Sequence, residues 1–196
     1  MRILLASASP RRRELLGRAG VSFEIEPADV DEKTEETDPV FVARMLAERK
    51  ARKIASLHSG EEDLLVLGAD TVVGVSLDGG QRLLGKPVGE EEARFMLRTL
   101  SGVAQDVVTG ICCIRCGDQR MEIDHERTRV HMRPITQPEI DAYVESGEWR
   151  GKAGGYAIQE TADRFVTHLE EGSFENVVGL PIERTKELLR RLGASL

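Results

Sequence analysis

The stretch that decides the fold is Leu64-Leu65-Val66-Leu67-Gly68-Ala69-Asp70-Thr71-Val72-Val73-Gly74-Val75. It is nearly all apolar, which suits a strand covered on both faces, as in a sheet flanked by helices. Asp70 and Thr71 interrupt the run. A carboxylate inside such a strand carries a desolvation cost unless it is paired or bound to a metal. Asp70 is therefore the first candidate for chemistry: it could hold Mg²⁺, deprotonate a water, or both. The alternative is a structural Asp satisfied by backbone N–H groups.

Toward the N-terminus, the short apolar run Arg2-Ile3-Leu4-Leu5-Ala6 stops at Ser7-Ala8-Ser9-Pro10-Arg11-Arg12-Arg13, and Glu14-Leu15-Leu16 follows on a helical pattern. This reads as strand, tight loop and helix start, with Ser9 as N-cap and Pro10 at the first helical position. Free N–H groups and the positive dipole end suit an anion there. Three guanidiniums in the first turn oppose the dipole, and bound phosphate is the simplest partner to offset them. A solvated basic turn is the alternative.

Elsewhere the pattern alternates irregularly between strands and helices. Strands are expected at 23–30, 106–115, 120–132, 156–158 and 165–169. Asp38-Pro39 opens a long helix that Gly60 ends, and Leu180-Pro181 opens a last helix to Leu192. A helix spans Glu90 to Leu100, and Thr136 with Glu139 forms a capping box for another that Gly147 ends. Asp78-Gly79-Gly80 reads as a turn and 151–155 as a flexible glycine-rich loop. The fold class is α/β or α+β with a mixed sheet, and no linker divides residues 1–196.

The chain has 196 residues, enough for one good core or two lobes around a cleft. Its formal net charge of −7 argues against a general nucleic-acid or membrane-surface binder, which needs a broad basic face. A small anionic ligand on a local basic cluster is still compatible with it. No run approaches the about 18 apolar residues of a membrane span, and the apolar start is too short for a signal peptide, so a cytoplasmic protein is expected. Cys112, Cys113 and Cys116 are an odd, clustered set with no fourth ligand at zinc-like spacing, and read as strand residues.

Three lysines stand out. Lys50 lies on the long helix, Lys86 in Gly85-Lys86-Pro87, and Lys152 in the glycine-rich loop. Each could reach phosphate oxygens, but taken singly each reads first as a solvated surface lysine. Asp31 and Glu32 could complete a metal site with Asp70, or belong to an ordinary acidic loop. Gln159, after Gly154-Gly155-Tyr156-Ala157-Ile158, offers the donor and acceptor needed to read a base edge, or is a surface residue after a turn. The histidines are dispersed, and neither a nucleophile elbow nor a P-loop motif is present.

Together these pieces resemble the Maf family of nucleoside triphosphate pyrophosphatases, once described as septum formation inhibitors. The matching motifs are Ser7-Ala8-Ser9-Pro10-Arg11-Arg12, Glu48-Arg49-Lys50-Ala51, Gly68-Ala69-Asp70-Thr71-Val72-Val73, Gly85-Lys86-Pro87, Leu100-Ser101-Gly102 and Thr109-Gly110. They continue with Gly151 to Gln159 and Asn176-Val177-Val178-Gly179-Leu180-Pro181. The resemblance implies a Maf/ITPase-like fold, an elongated mixed sheet flanked by helices with two lobes around a central cleft. It implies hydrolysis of a nucleoside triphosphate to monophosphate and pyrophosphate, with Mg²⁺ or Mn²⁺ as cofactor, and it suggests a homodimer.

By position, Asp70 matches the family's proton acceptor. Ser7, Arg12, Glu32, Lys50 and Lys86 match residues lining the phosphate and metal site. Arg11, Thr71 and Gln159 match positions that separate subgroups by base preference, here the dTTP/UTP subgroup. Lys152 is a further substrate-binding candidate. Two other readings stand beside this one: a nucleotide-binding regulator of cell division without turnover, and the same reaction on a modified purine such as 7-methyl-GTP. The family often has a histidine shortly before Val107. This chain reads Val103-Ala104-Gln105-Asp106, so no role for that histidine carries over.

Overall fold

A computed structural model describes residues 1–77 and 80–196, so the expected turn at Asp78-Gly79-Gly80 lies largely outside the described residues. The apolar stretch that opens the sequence argument becomes a long strand, β3 (Leu64–Leu77), numbered after β1 (Arg2–Leu5) and β2 (Glu24–Ile25). Its first four residues pair in parallel with β1, from Arg2↔Leu64 to Leu5↔Leu67. Its last five pair antiparallel with β4 (Gly80–Leu84), from Val73↔Leu84 onward. Between Leu67 and Val73, that edge of β3 has no strand partner among the described residues. The gap is centred on Asp70.

The other edge of β3 is paired along its length with β5 (Ala104–Arg115), including Asp70↔Gly110 and Thr71↔Thr109. β6 (Met121–Met132) and β7 (Val166–Glu170) extend the sheet, giving the order β2-β1-β3-β5-β6-β7. Mixed pairing and flanking helices make the fold α/β, as expected.

Helices cover both faces. They are α1 (Pro10–Arg18), α2 (Pro39–Ala55), α3 (Glu90–Leu100), α4 (Gln137–Ser146), α5 (Phe174–Val178) and α6 (Ile182–Arg191). Their starts follow local signals. Asp38 Oδ1 accepts from Val40 N at 2.8 Å and Phe41 N at 3.0 Å, capping α2. The Thr136–Glu139 capping box is formed at α4, and Gly147 ends that helix at φ 74°. Side chains alternate along β3. Leu65, Leu67 and Ala69 pack with Leu15 and Leu16 of α1 and Leu188 and Leu189 of α6. Leu64 and Val66 pack with Ala47, Ala51 and Ile54 of α2. Beyond the gap, Val73 and Val75 join a core with Leu97, Tyr143 and Phe165.

Helix α2 sits unusually close to the sheet. A Cβ on Gly68 would lie 2.3 Å from Ala47 O, and one on Gly110 would lie 2.2 Å from Ala43 O. Two glycines on neighbouring strands thus face a stripe of alanines, and backbone meets backbone. This contact brings Lys50, between Ala47 and Ala51, over Asp70.

Some expectations change. Only Glu24 and Ile25 of the 23–30 stretch pair, and Ile25 is exposed. β2 is an edge strand with no cover over Ile25, and Pro27 cannot donate to a ladder. Residues 156–158 are not a strand: Gly154 and Gly155 at φ 71° and 72° turn the chain. Their loop is not loose either, because Gly154 N donates to Gly85 O at 3.0 Å. α2 stops at Ala55, before a short turn over Ser56–His58, rather than running on to Gly60. The short helix α5 has no counterpart in the sequence reading. The three cysteines are buried and free, and burial pushes the Cys112 thiol up to about 12.

Candidate active site

A cleft of about 520 Å³ opens at the gap in β3. The β1–α1 turn, the 27–32 segment, α2, Lys86 and the 150–159 segment contribute to its lining. All ten site residues expected from sequence line it: Ser7, Arg11, Arg12, Glu32, Lys50, Asp70, Thr71, Lys86, Lys152 and Gln159. Asp31 does not; its Oδ1 accepts from Lys33 N at 3.0 Å and caps the acidic loop instead.

The two residues that interrupt the apolar run point to opposite faces of the sheet. Asp70 faces α2. Its Oδ1 accepts from Lys50 Nζ at 2.5 Å, and Glu32 Oε1 lies 2.6 Å from the same ammonium. Lys86 Nζ reaches Glu32 Oε2 at 3.4 Å. Lys50 and Asp70 are both buried. A lone charge there would be costly, and the pairing compensates it. Burial pushes the Glu32 carboxyl up, but the ammonium groups of Lys50 and Lys86 outweigh it and hold Glu32 below the usual glutamate range.

Thr71 faces α1. Ser9 caps that helix, accepting from Arg12 N at 3.5 Å. Arg12 then folds back into the cleft. Its Nη1 donates to Ser7 Oγ at 3.0 Å, its Nη2 to Thr71 Oγ1 at 3.1 Å and its Nε to Gly179 O at 2.8 Å. Burial lowers the Arg12 guanidinium from an ordinary arginine, against the pull of Asp70 and Glu32. Arg11 is also lowered by burial, with the Glu160 carboxylate pulling against it. Arg13 is exposed.

Lys152 is buried and paired with Glu160, a partner the sequence did not suggest. Tyr156 lines the cleft and is anchored by the buried Gln105. With its amide turned to suit, Gln105 accepts from Tyr156 Oη at 3.1 Å and donates to Val130 O and Val103 O at 3.2 Å. Arg150 was not foreseen and also lines the cleft.

Among the described residues lining the cleft, Arg11, Arg12, Lys50, Lys86, Arg150 and Lys152 are cations and Asp70 and Glu32 are the carboxylates, so the cleft is cationic inside an acidic chain. That balance, beside a helix N-terminus, suits a polyanion with several phosphates. A mixed α/β protein with a polyphosphate cleft and one buried carboxylate at its floor is the class these features define. The chain belongs to the family described as Maf-like protein, whose profile matches residues 2–192.

A protein of Pelotomaculum thermopropionicum named dTTP/UTP pyrophosphatase is 45% identical, covering 97% of this chain and 96% of its own. One of Maricaulis maris with the same name is 49% identical over 98% of this chain and 88% of its own. One of Deinococcus radiodurans, again of that name, is 42% identical over 99% and 94%. Among solved structures, a HAM1 protein from Coxiella burnetii is similar over 97% of this chain and 99% of its own, with TM-score 0.49 and 16% identity. No helix among the described residues is long and apolar enough to cross a membrane.

Proposed function

We propose that this chain hydrolyses a nucleoside triphosphate, dTTP or UTP, to the monophosphate and pyrophosphate. The observation that carries the reading is the buried Asp70 carboxylate beside Lys50, at the floor of a cleft also lined by Arg12 and Lys86. The family membership and the relatives named dTTP/UTP pyrophosphatase support it.

In this reading Asp70 accepts the proton of the attacking water. Arg12, Lys50 and Lys86 neutralise phosphate oxygens, and Ser7 and the first N–H groups of α1 orient the phosphate chain. Arg11, Thr71 and Gln159 shape the base pocket, and Lys152 supports that end of the substrate. Positioning and electrostatic stabilisation do most of the catalysis, because charge shifts onto the departing pyrophosphate.

Asp70 and Glu32 are the residues that would hold a divalent cation, Mg²⁺ or Mn²⁺. Their donor chemistry fits one: Mg²⁺ is commonly bound by one or two carboxylates, with substrate phosphates and waters as its other ligands. The described residues contain no group of three or more His, Cys, Asp or Glu arranged for a metal. Such an ion supplies charge neutralisation on the phosphoryl oxygens.

Residues 1–196 act as one catalytic unit in this reading, in the cytoplasm, as a homodimer, with no nucleic-acid polymer or membrane as partner. Pyrophosphate release from a panel of nucleoside triphosphates with Mg²⁺ tests the function. dTTP and UTP are expected to lead. Release from 7-methyl-GTP or another purine alone would move the substrate. Nucleotide binding with no release across the panel would favour a regulator of cell division.

A further inference from the structure

Asn176 and the buried Thr109 have no part in the chemistry described so far, yet their hydrogen bonds lead to Arg12. Thr71 Oγ1, which accepts from Arg12 Nη2, lies 2.9 Å from Thr109 Oγ1. Thr109 Oγ1 in turn lies 3.0 Å from the main-chain carbonyl of Asn176. A carbonyl can only accept, so the single Thr109 proton goes to Asn176 O. Thr109 must then accept the Thr71 proton. Thr71, with its own proton committed, presents only lone pairs to Arg12. The direction of every bond is fixed: Arg12 to Thr71 to Thr109 to Asn176 O.

The far end of this chain is held firmly. Asn176 is fully buried, and its Nδ2 donates to Val107 O at 3.0 Å and Thr128 Oγ1 at 2.9 Å. The same segment supplies Gly179 O, the acceptor for Arg12 Nε. An arginine has five donors. Nε uses one, and Nη1 and Nη2 use one each on Ser7 and Thr71. One donor remains on each terminal nitrogen of a side chain that lines the cleft. Two such donors are the fork that grips a phosphate in a bidentate manner.

We propose that Thr109 and Asn176 are positioning residues: they act through the Thr71 hydroxyl to hold the Arg12 guanidinium so that its two free donors face the phosphate chain. The proposal rests on the reading of this cleft as a triphosphate site. Without the Thr109 hydroxyl, the Thr71 proton has no acceptor and competes with Arg12 for space and orientation. Hydrogen-bonded networks of this kind act as units, so the loss should not be local to Thr109.

The test uses inorganic tripolyphosphate and calorimetry, which need no turnover. Thr109→Val is expected to weaken tripolyphosphate binding about tenfold, a loss of about 1.4 kcal/mol. Thr109→Ser, which restores the hydroxyl, should stay within about twofold of wild type. The decisive arm is a double-mutant cycle with Thr71→Val. If Thr109 acts only through Thr71, adding Thr109→Val to Thr71→Val weakens binding no further. Additive losses, wild-type binding by Thr109→Val, or a Ser variant as weak as the Val variant would each overturn the proposal.

Should Thr109→Val not fold, Thr109→Cys keeps the volume with a weak acceptor and takes its place in the cycle. Pyrophosphate release by the wild type is measured separately. A wild type that binds tripolyphosphate but releases no pyrophosphate from any nucleotide sinks the enzymatic reading and leaves the positioning test intact.

Discussion

The two faces of β3 solve the same problem in different ways. On the α2 face, Asp70 is satisfied by charge: Lys50, Glu32 and Lys86 follow in alternation. On the α1 face, Thr71 is satisfied by neutral hydroxyls and a carbonyl, which fix the direction of each bond to Arg12. Charges on the first face can rearrange when a polyanion or cation arrives, and they respond to pH. Hydroxyls on the second face cannot titrate, and they hold one arrangement. One face is suited to chemistry and the other to grip.

The hardest test of that division is Asp70→Asn. The amide keeps the size and an acceptor for Lys50 Nζ, so the fold should survive. Pyrophosphate release should fall about 10²- to 10⁴-fold in kcat, the usual contribution of a general base. Binding of tripolyphosphate through Arg12 should fall far less. Wild-type turnover in this variant would remove Asp70 from its role.

Next in size is Gly110→Ala. The added methyl would meet Ala43 O on the α2 face. Overpacking of this kind costs about 1–3 kcal/mol, read as a lower urea midpoint. Turnover should fall as well, because a displaced α2 carries Lys50 away from Asp70. Stability unchanged from wild type would mean that the helix does not rest on the sheet as closely as the geometry states.

The charged face was far more legible in the sequence than the neutral one. Asp70 stood out because a carboxylate breaks an apolar run, and Lys50 and Lys86 stood out as motif lysines. The helix from Thr136 onward could be read because its capping box and the closing Gly147 are local signals. Thr109 could not be assigned a role, because a threonine in a strand is unremarkable until its partner is known. The Thr71↔Thr109 register belongs to the pairing of two strands and to neither strand alone. The same holds for the Arg12 contact with Gly179 O, which joins residues 167 positions apart. Segment 23–30 misled for a related reason: alternation promised a strand, while Pro27 and an edge position allowed only two paired residues.

Acid separates the faces more gently. Glu32 is held below the usual glutamate range by Lys50 and Lys86, against the effect of its burial. A carboxylate depressed in the folded state adds stability above its unfolded pKa, about 4.3, and that stability is lost as pH falls through the folded value. Lys50→Met removes the stronger attraction, so the Glu32 pKa rises toward its unfolded value and the Glu32 share of the acid loss shrinks, which changes the acid limb. Thermal unfolding in EDTA between about pH 6 and 3 reads the difference. Thr71→Val, on the face with no titrating hydroxyls, should leave the position of the acid limb where it is in the wild type. A shift as large as that of Lys50→Met would dissolve the distinction between the two faces.

The smallest expected effect is the most discriminating about how the arginine turn works. Arg11, Arg12 and Arg13 share the first turn of α1, so a field set only by net charge would make them nearly equivalent. Contact geometry makes them unequal: Arg12 is buried with three protein acceptors, whereas Arg13 is exposed. An exposed charge is screened over about 10 Å at 0.1 M salt. Arg13→Ala should therefore change kcat/KM for dTTP by less than about twofold at that salt, and stability by no more than about 0.5 kcal/mol. Repeating the assay at low salt sharpens the point, because a field effect grows there and a contact effect does not. A large, salt-sensitive loss in Arg13→Ala would show that the turn attracts its polyanion as a cluster, and that the hydroxyl face places only one arginine of three that matter.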